Sequence, residues 1–321
     1  MVPPTSIAVI DIGSNSLKLL VAACDAAGAL QELNQQTRDV RISAGLGRER
    51  PRLGEEGMVR GLAAIQELLA VAAPFVPART ILVATSAVRG AENGADFCAR
   101  VQAATGHSVR ILTGDEEAGL IGRGLVCDPA LTGFMDFCVF DLGGGSLECL
   151  NFRQRNISQA VSLPLGCVRL TERFVPDVNA PFPATARTAI AAHTRAALEH
   201  GGFRFGPPGG RVVFTGGSMT TVRAIFAARK NLPLLAYSAE IGVPEIRALL
   251  DTLAPLTLTE RQSIPGLPPA RADVFPAALT TILAVGEAGG LMVLHHSLHN
   301  LRWGVAAEAL EDGPPASGGA R

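Results

Sequence analysis

At 321 residues the chain has room for about two domains of ordinary size. With 48% hydrophobic and 18% charged residues, and 28 basic against 29 acidic side chains, it is neither an intrinsically disordered chain nor a strongly basic nucleic-acid coat. Lys18 and Lys230 are the only lysines, so 26 of the 28 basic residues are arginine. Ala, Gly and Pro are abundant alongside, which points to coding bias for the total and leaves each arginine to be judged by its own place.

The first apolar run, Ser6–Asp11, closes on an aspartate and is followed by a Gly/Ser/Asn turn and a second apolar run, Leu17–Cys24. This predicts strand, turn, strand. A third strand is expected over Ala29–Thr37. From Glu55 to Ala73, Val59, Leu62, Ile65, Leu69 and Ala72 recur at helical spacing. A buried strand follows at Thr80–Thr85, then a helix at Ala95–Thr105, a strand at Ser108–Leu112 and a helix at Glu116–Val126. Alternating strands and helices predict a layered α/β fold.

The pattern then restarts. Asp136–Asp141 is again an apolar run closing on aspartate, followed by a Gly-rich turn, a run at Leu147–Phe152 and a third strand at Ile157–Leu163. Helices are expected at Pro183–Glu199, Met219–Ala228, Val243–Leu253 and Asp273–Val285, with a buried strand at Arg211–Thr215. Gly/Pro clusters at 201–210 and 265–269 read as surface loops, and 313–321 as a disordered tail. The expected lobes are 1–127, joined by a C-terminal helix at 300–312, and 128–299.

Asp11-Ile12-Gly13-Ser14-Asn15-Ser16-Leu17 aligns with Asp141-Leu142-Gly143-Gly144-Gly145-Ser146-Leu147, so the restart is an internal repeat. A duplicated unit predicts two similar lobes facing each other across a cleft. In a tight Gly/Ser turn, successive backbone N–H groups point at one anion. The hydroxyls of Ser14, Ser16 and Ser146 add donors, and two facing loops would clamp a phosphate chain. Asp11 and Asp141 at the strand ends suit hydrated Mg²⁺, which takes one or two carboxylates plus phosphate oxygens. Glu148 shares a strand face with Ser146 and is a further candidate ligand. A third loop, Thr215-Gly216-Gly217-Ser218-Met219-Thr220-Thr221, enters a helix and reads equally as an anion site or as simple capping by Ser218 or Thr220. Asp115, Glu116 and Glu117 open a helix, where the dipole favours acids. One of them could serve as a general base, and the sequence pattern does not choose among them.

These residues resemble the exopolyphosphatase/guanosine pentaphosphate phosphohydrolase (Ppx/GppA) family of the actin–sugar kinase–Hsp70 group, from Ala8 to about Leu310. Val9 to Ser16, with its Ser-Asn-Ser ending, resembles the family's first phosphate loop. Gly114-Asp115-Glu116-Glu117-Ala118 is similar to its G-x-E-E-A motif. Phe140 to Glu148 resembles the second loop, with Leu147 where threonine is usual. Arg41 and Arg89 match arginines that reach phosphates. Leu163 to Leu170, Arg271-Ala272-Asp273 and Ser297 with Leu301 to Gly304 match further motifs, with Cys167 for the usual alanine and Ser218 for threonine in the third loop. The chain resembles the short, two-lobe members.

The resemblance implies duplicated ribonuclease H-like (actin-like ATPase) lobes, each a mixed sheet flanked by helices, with an interdomain cleft. It implies Glu117 as catalytic base, Arg41 and Arg89 neutralising charge, and phosphate binding at Gly13, Ser14, Asn15, Ser16, Gly143, Gly144, Gly145 and Ser146, with Gly216, Gly217 and Ser218 adding to it. Mg²⁺ (or Mn²⁺) would be held by Asp141 and Glu148, with Asp11 in its outer shell. The implied reaction is release of terminal orthophosphate from inorganic polyphosphate. Guanosine pentaphosphate hydrolysis, an actin-like or sugar-kinase ATPase, and a non-catalytic polyphosphate or alarmone binder are the rivals. The shape of such two-lobe proteins allows a homodimer.

No basic stretch precedes the first apolar run, so no secretory signal is expected, and the uncharged runs Val274–Gly286 and Ala288–Leu301 are too short to span a bilayer. The six cysteines form no CxxC pair and read as small buried hydrophobes in a reducing cytoplasm. Neither a membrane nor a specific nucleic acid is an expected partner. His295, His296 and His299 read as a polar surface turn; on a helix, His295 and His299 would share a face. Trp303 and Tyr237 read as packing residues, and Arg48, Arg50 and Arg52 as a solvated loop.

Overall fold

Buried apolar runs set the first sheet. In the computed structural model, which describes residues 5–43, 51–206 and 210–311, β1 (Ser6–Ile12) and β2 (Ser16–Cys24) are buried almost throughout and pair antiparallel. β3 (Leu30–Asp39) adds antiparallel to β2 as a half-exposed edge. α1 (Glu55–Ala72) then crosses to β4 (Arg79–Ala84), which lies parallel to β1. A single turn, α2 (Ser86–Arg89), and α3 (Gly94–Thr105) lead to β5 (Val109–Ile111), parallel to β4, and on to α4 (Gly114–Val126). The strand order is β3-β2-β1-β4-β5.

The second sheet repeats this order. β6 (Phe137–Leu142), β7 (Leu147–Arg153) and β8 (Asn156–Leu163) form an antiparallel meander. α5 (Cys167–Phe174) and α6 (Ala184–His200) cross to β9 (Arg211–Thr215), parallel to β6. After α7 (Gly216–Arg229), the strand β10 (Glu240–Gly242), α8 (Val243–Leu253), α9 (Leu258–Gln262) and α10 (Phe275–Ala288) precede β11 (Val293–His296). The order is β10-β11-β9-β6-β7-β8, so the second sheet is the first pattern plus one antiparallel edge strand. The protein is thus a mixed α/β fold of two mixed sheets flanked by helices, as the alternation and the repeat predict.

The chain separates into two units. One holds the described residues up to Pro129 and from His299 onward; the other holds Ala130–Leu298. The closing helix α11 (Leu301–Glu311) joins the first unit and packs on α4 and β1. Gly304 makes that packing possible: a Cβ there would collide with the carbonyl oxygen of Leu120. Gly304→Ala must push two helices apart, and overpacking of this kind costs about 1–3 kcal/mol or more. The expected result is a fall in Tm of several degrees by calorimetry, and an unchanged Tm would show that the two helices give way freely.

Two apolar helices solve different burial problems. α10 is buried from Phe275 to Gly286, which explains why Val274–Gly286 has no polar face. The segment Glu55–Phe75 is long and apolar enough to cross a membrane by length and composition. It nevertheless buries one side, Met58, Ala64, Ile65 and Leu68, within its unit and carries Glu55, Glu56, Arg60 and Glu67 elsewhere. The expected tail at 313–321, and Arg48 and Arg50 of the arginine trio, lie outside the described residues; Arg52 pairs with Glu92.

Candidate functional site

The first unit carries a candidate site built on the β1–β2 turn. Its carbonyl oxygens are pulled to one side. The amides of Val40 and Arg41 both donate to the Asn15 carbonyl, and the Ser43 amide and hydroxyl donate to that of Ser14. The amides of Ser14 and Asn15 donate to no protein acceptor among the described residues. A turn with its carbonyls tied back and its N–H groups spare is an anion-binding nest. The side-chain Nδ2 of Asn15 is also buried without an acceptor, and the Asp11 Oδ1 is buried without a donor. Buried polar atoms in folded proteins are nearly always paired, so these two atoms suit a bound polar group.

Arg41 is tied to this loop. It sits at φ 48°, a strained conformation for a side-chain-bearing residue, and its Nε donates to Asn15 Oδ1 at 3.4 Å. β4 delivers the next groups. Ser86 at its end stands 3.3 Å, hydroxyl to hydroxyl, from Ser14, and one turn later Arg89 projects from α2. Arg89 Nη1 donates to the Leu112 carbonyl at 2.6 Å and to Glu117 Oε2 at 2.8 Å.

The structure separates the three acids that the sequence left together. Asp115 and Glu116 are exposed, whereas Glu117 is 6% exposed. Glu116 completes a capping box with Thr113 and pairs with Arg110 at 2.9 Å. Hydrogen bonds from the Thr113 backbone, then Arg110, pull its carboxyl down to about 2. A group lowered on folding adds stability above its ordinary value of 4.5, and that contribution is lost as the pH falls toward 2. Glu116→Gln should therefore lower Tm at pH 7, with the difference from the parent shrinking between about pH 4.5 and 2. A gap constant across that range would show that the charge is not what the cap uses.

Asp11 and Lys18 are direct cross-strand partners on β1 and β2. Burial pushes the Asp11 carboxyl up, and the charges of Lys18 and Arg302 oppose that rise. Lys18 is a site residue that the motif reading missed. Its signal was its rarity, as one of two lysines, and its position seven residues after Asp11.

The second unit carries its own candidate site at the β6–β7 turn. The Gly143 carbonyl accepts from the Cys167 amide and that of Gly144 from Val168, while Arg169 Nε donates to Gly145. The loop carbonyls thus satisfy the start of α5. The amides of Gly144, Gly145 and Ser146 donate to no protein acceptor among the described residues, the same arrangement as in the first unit. Gly166 holds this geometry: a Cβ there would collide with backbone atoms of Gly144 and Gly145. Gly166→Ala should disturb the loop and weaken phosphate-chain binding at least tenfold, with a smaller change in Tm. Calorimetric titration with a short polyphosphate checks this, and unchanged affinity would detach the loop from binding.

Asp141 and Glu148 stand opposite each other on β6 and β7, both buried. Ser162 donates to Glu148 Oε1 at 2.8 Å. Directly opposed like charges are destabilising, so a buried pair of this kind suits a cation. The third loop supports it. Gly216, at φ 88°, begins α7, and a Cβ there would collide with Asp141 Oδ1. Neither Ser218 nor Thr220 caps α7. Ser218 donates to the Leu142 carbonyl and Thr220 to the Gly216 carbonyl, and the Thr215 side chain at the N-cap makes no capping bond to α7. The capping alternative for this loop does not describe it. The guanidinium of Arg271 lies where a side chain on Gly217 would sit, so Arg271, quoted in a motif but not among the site residues, belongs to this loop.

The histidine cluster is neither a surface turn nor a helix face. His295 and His296 lie in β11, where alternation sends adjacent side chains to opposite faces. His296 is buried, with Nε2 3.1 Å from Thr220 Oγ1, and His295 packs edge-on to Phe134. His299 stacks on Trp303 at 3.8 Å and lies 3.5 Å from Asp128. No group of three or more His, Cys, Asp and Glu suited to a metal occurs among the described residues. A cation site here would rest on the Asp141–Glu148 pair and ligands from outside the protein.

The family profile described as the Ppx/GppA phosphatase family matches residues 20–312. An exopolyphosphatase from Cytophaga hutchinsonii has a similar structure, with 23% identity, coverage of 96% of this chain and 98% of the other, and a TM-score of 0.85. A Ppx/GppA family member from Aquifex aeolicus shares 26% identity over 97% and 99% of the two chains, with a TM-score of 0.77.

Proposed function

The chain belongs to the Ppx/GppA phosphatase family, and from that premise we propose that it is an exopolyphosphatase, releasing terminal orthophosphate from inorganic polyphosphate by attack of water. The observation that carries this reading is the buried Glu117 held by Arg89, beside a turn whose amides are spare. A non-catalytic binder needs the turn but not a buried, oriented carboxylate. The relative from Cytophaga hutchinsonii, which shares the fold, is an exopolyphosphatase.

Residues take the following roles. In the first unit, the amides of Ser14 and Asn15 bind phosphoryl oxygens, and Arg41 and Arg89 offset the charge that develops there. Glu117 accepts the proton of the attacking water, and Arg89 fixes the direction of its carboxylate. In the second unit, the amides of Gly144 to Ser146 bind phosphate, with the Gly216–Ser218 turn beside Asp141. Asp141 and Glu148 are the residues that would hold Mg²⁺, which when bound neutralises phosphate oxygens. A phosphoryl transition state needs little covalent help, so positioning and charge supply most of the rate. The proposed location of the enzyme is the cytoplasm, as the sequence reading expects.

The test is a phosphate-release assay with and without Mg²⁺, across polyphosphate lengths, with guanosine pentaphosphate and ATP alongside. Release from polyphosphate well above the other two supports the proposal. Preference for guanosine pentaphosphate or ATP, or no release at all, overturns it.

A further inference from the structure

We propose that the second unit carries a separate binding site for a small anion with an aromatic ring, the chemistry of a nucleoside phosphate. It is a cavity of about 760 Å³ at the start of β6, walled by the ends of β7 and β9, the segment after α6 and the turn after α10. That volume falls in the range of small-molecule pockets. Phe137 at its edge is four residues before Asp141 on β6, or about 13 Å at a strand's rise per residue, so the cavity occupies the other end of the sheet from the phosphate loop.

Charge gives the first half of the ligand. Arg153, Arg204 and Arg211 all line the cavity, and Asp136 is its one acidic residue. Many of the other described arginines are matched: Arg38, Arg100, Arg110, Arg187 and Arg247 pair with carboxylates, and Arg155, Arg223 and Arg261 donate to carbonyls. Among the described residues the guanidinium groups of Arg153 and Arg204 have no carboxylate or carbonyl partner, and Arg211 only lies over the Phe134 ring at 4.2 Å. In a chain of net charge −1, three uncompensated guanidinium groups around one cavity form a local anion site.

Aromatic surface gives the second half. Phe137 and Phe152, both buried, stack on each other at 4.4 Å and 5° as the floor of the cavity, and half-buried Phe205 on its wall is the ring a ligand would meet. Phe152, Phe137 and Arg211 are successive cross-strand partners on β7, β6 and β9, so rings and guanidinium form one row. Flat rings and guanidinium planes both stack on a nucleobase. The wall is also built in advance. Asn151 accepts from Cys138 Sγ and donates to Gln159 and the Arg204 carbonyl, and Gln159 donates to the Gly202 carbonyl. These bonds fix the segment bearing Arg204 and Phe205 before any ligand arrives, which lowers the ordering cost of binding.

Fluorescence titration of the full chain with N-methylanthraniloyl-GMP tests this, since a monophosphate has no phosphoanhydride to hydrolyse. The expected result is saturable binding of one probe per chain, weakened tenfold or more in Arg153→Ala/Arg204→Ala and again in Arg204→Glu. Both variants alter exposed, unpaired side chains, so their Tm should match the parent. Gly166→Ala, which disturbs the phosphate loop, should leave the affinity unchanged. No saturable binding, or binding that the arginine variants do not weaken, overturns the proposal. Full displacement by excess tripolyphosphate with equal affinity in all variants would place the probe in the phosphate loops and overturn it too.

Discussion

Glu117→Gln is expected to cut phosphate release by about 10²–10⁴-fold, the ordinary contribution of a positioned general base. The substitution keeps the volume of a side chain that is 6% exposed, so packing around the start of α4 should survive. Arg89 keeps its bond to the Leu112 carbonyl and retains an oxygen to donate to at position 117. What is lost is the proton acceptor. Polyphosphate affinity should stay within a few fold, because the spare amides of the β1–β2 turn are held by bonds from Val40, Arg41 and Ser43 and not by Glu117. The neighbouring acids provide internal controls. Asp115→Asn alters an exposed residue, and Glu116→Gln weakens a cap, so both should retain turnover within a few fold. Single-turnover phosphate release and equilibrium binding, measured on the same preparations, separate the terms. Unchanged turnover in Glu117→Gln removes the residue from the mechanism, and equal loss in Glu116→Gln would show that the helix start matters rather than one carboxylate.

That discrimination shows where the sequence stopped being legible. Asp115, Glu116 and Glu117 are indistinguishable as a first-turn acidic run, because the helix dipole favours all three. Only the third dimension assigns one to a capping box, one to solvent and one to the interior. The strand pattern was easier, since burial on both faces leaves continuous apolar runs that bracket the turns. The short elements were not legible: α2, α5, α9, β10 and β11 have no periodicity to read over so few residues. α2 matters most, because its single turn after β4 brings Arg89 to Glu117. The His295–His299 spacing misled for the same reason, since four residues of β11 give no helical face. The repeat also carried more information than its glycines. Position 18 in the first copy corresponds to position 148 in the second, and both face the repeated aspartate of their own turn across an antiparallel pair. Lysine fills one and glutamate the other. The first unit therefore carries its own cation opposite Asp11, whereas the second opposes two carboxylates.

This asymmetry predicts where a divalent cation acts and where it does not. In the second unit, Glu148→Gln is expected to reduce phosphate release by at least about 100-fold and to weaken Mg²⁺ binding comparably. It should also stabilise the metal-free protein. Asp141 and Glu148 are buried cross-strand neighbours of the same sign, and like charges directly opposite each other are destabilising. With EDTA present, Glu148→Gln should therefore melt at or above the parent, because one buried charge has been removed. With Mg²⁺ added the order should reverse. A ligand bound only by the folded state stabilises by about 2.7 kcal/mol at 100 times its dissociation constant, and the variant forgoes that gain. Lys18→Met is the matching control in the first unit. It strips the charge that opposes burial of the Asp11 carboxylate, so it should lower Tm equally with or without Mg²⁺. Calorimetric scans of the two variants and the parent, each in EDTA and in Mg²⁺, give the six values needed. If Glu148→Gln responds to Mg²⁺ as the parent does, the cation does not sit on the β6–β7 pair. If Lys18→Met alone loses the response, the first unit holds the metal, and the roles of the two aspartates are exchanged.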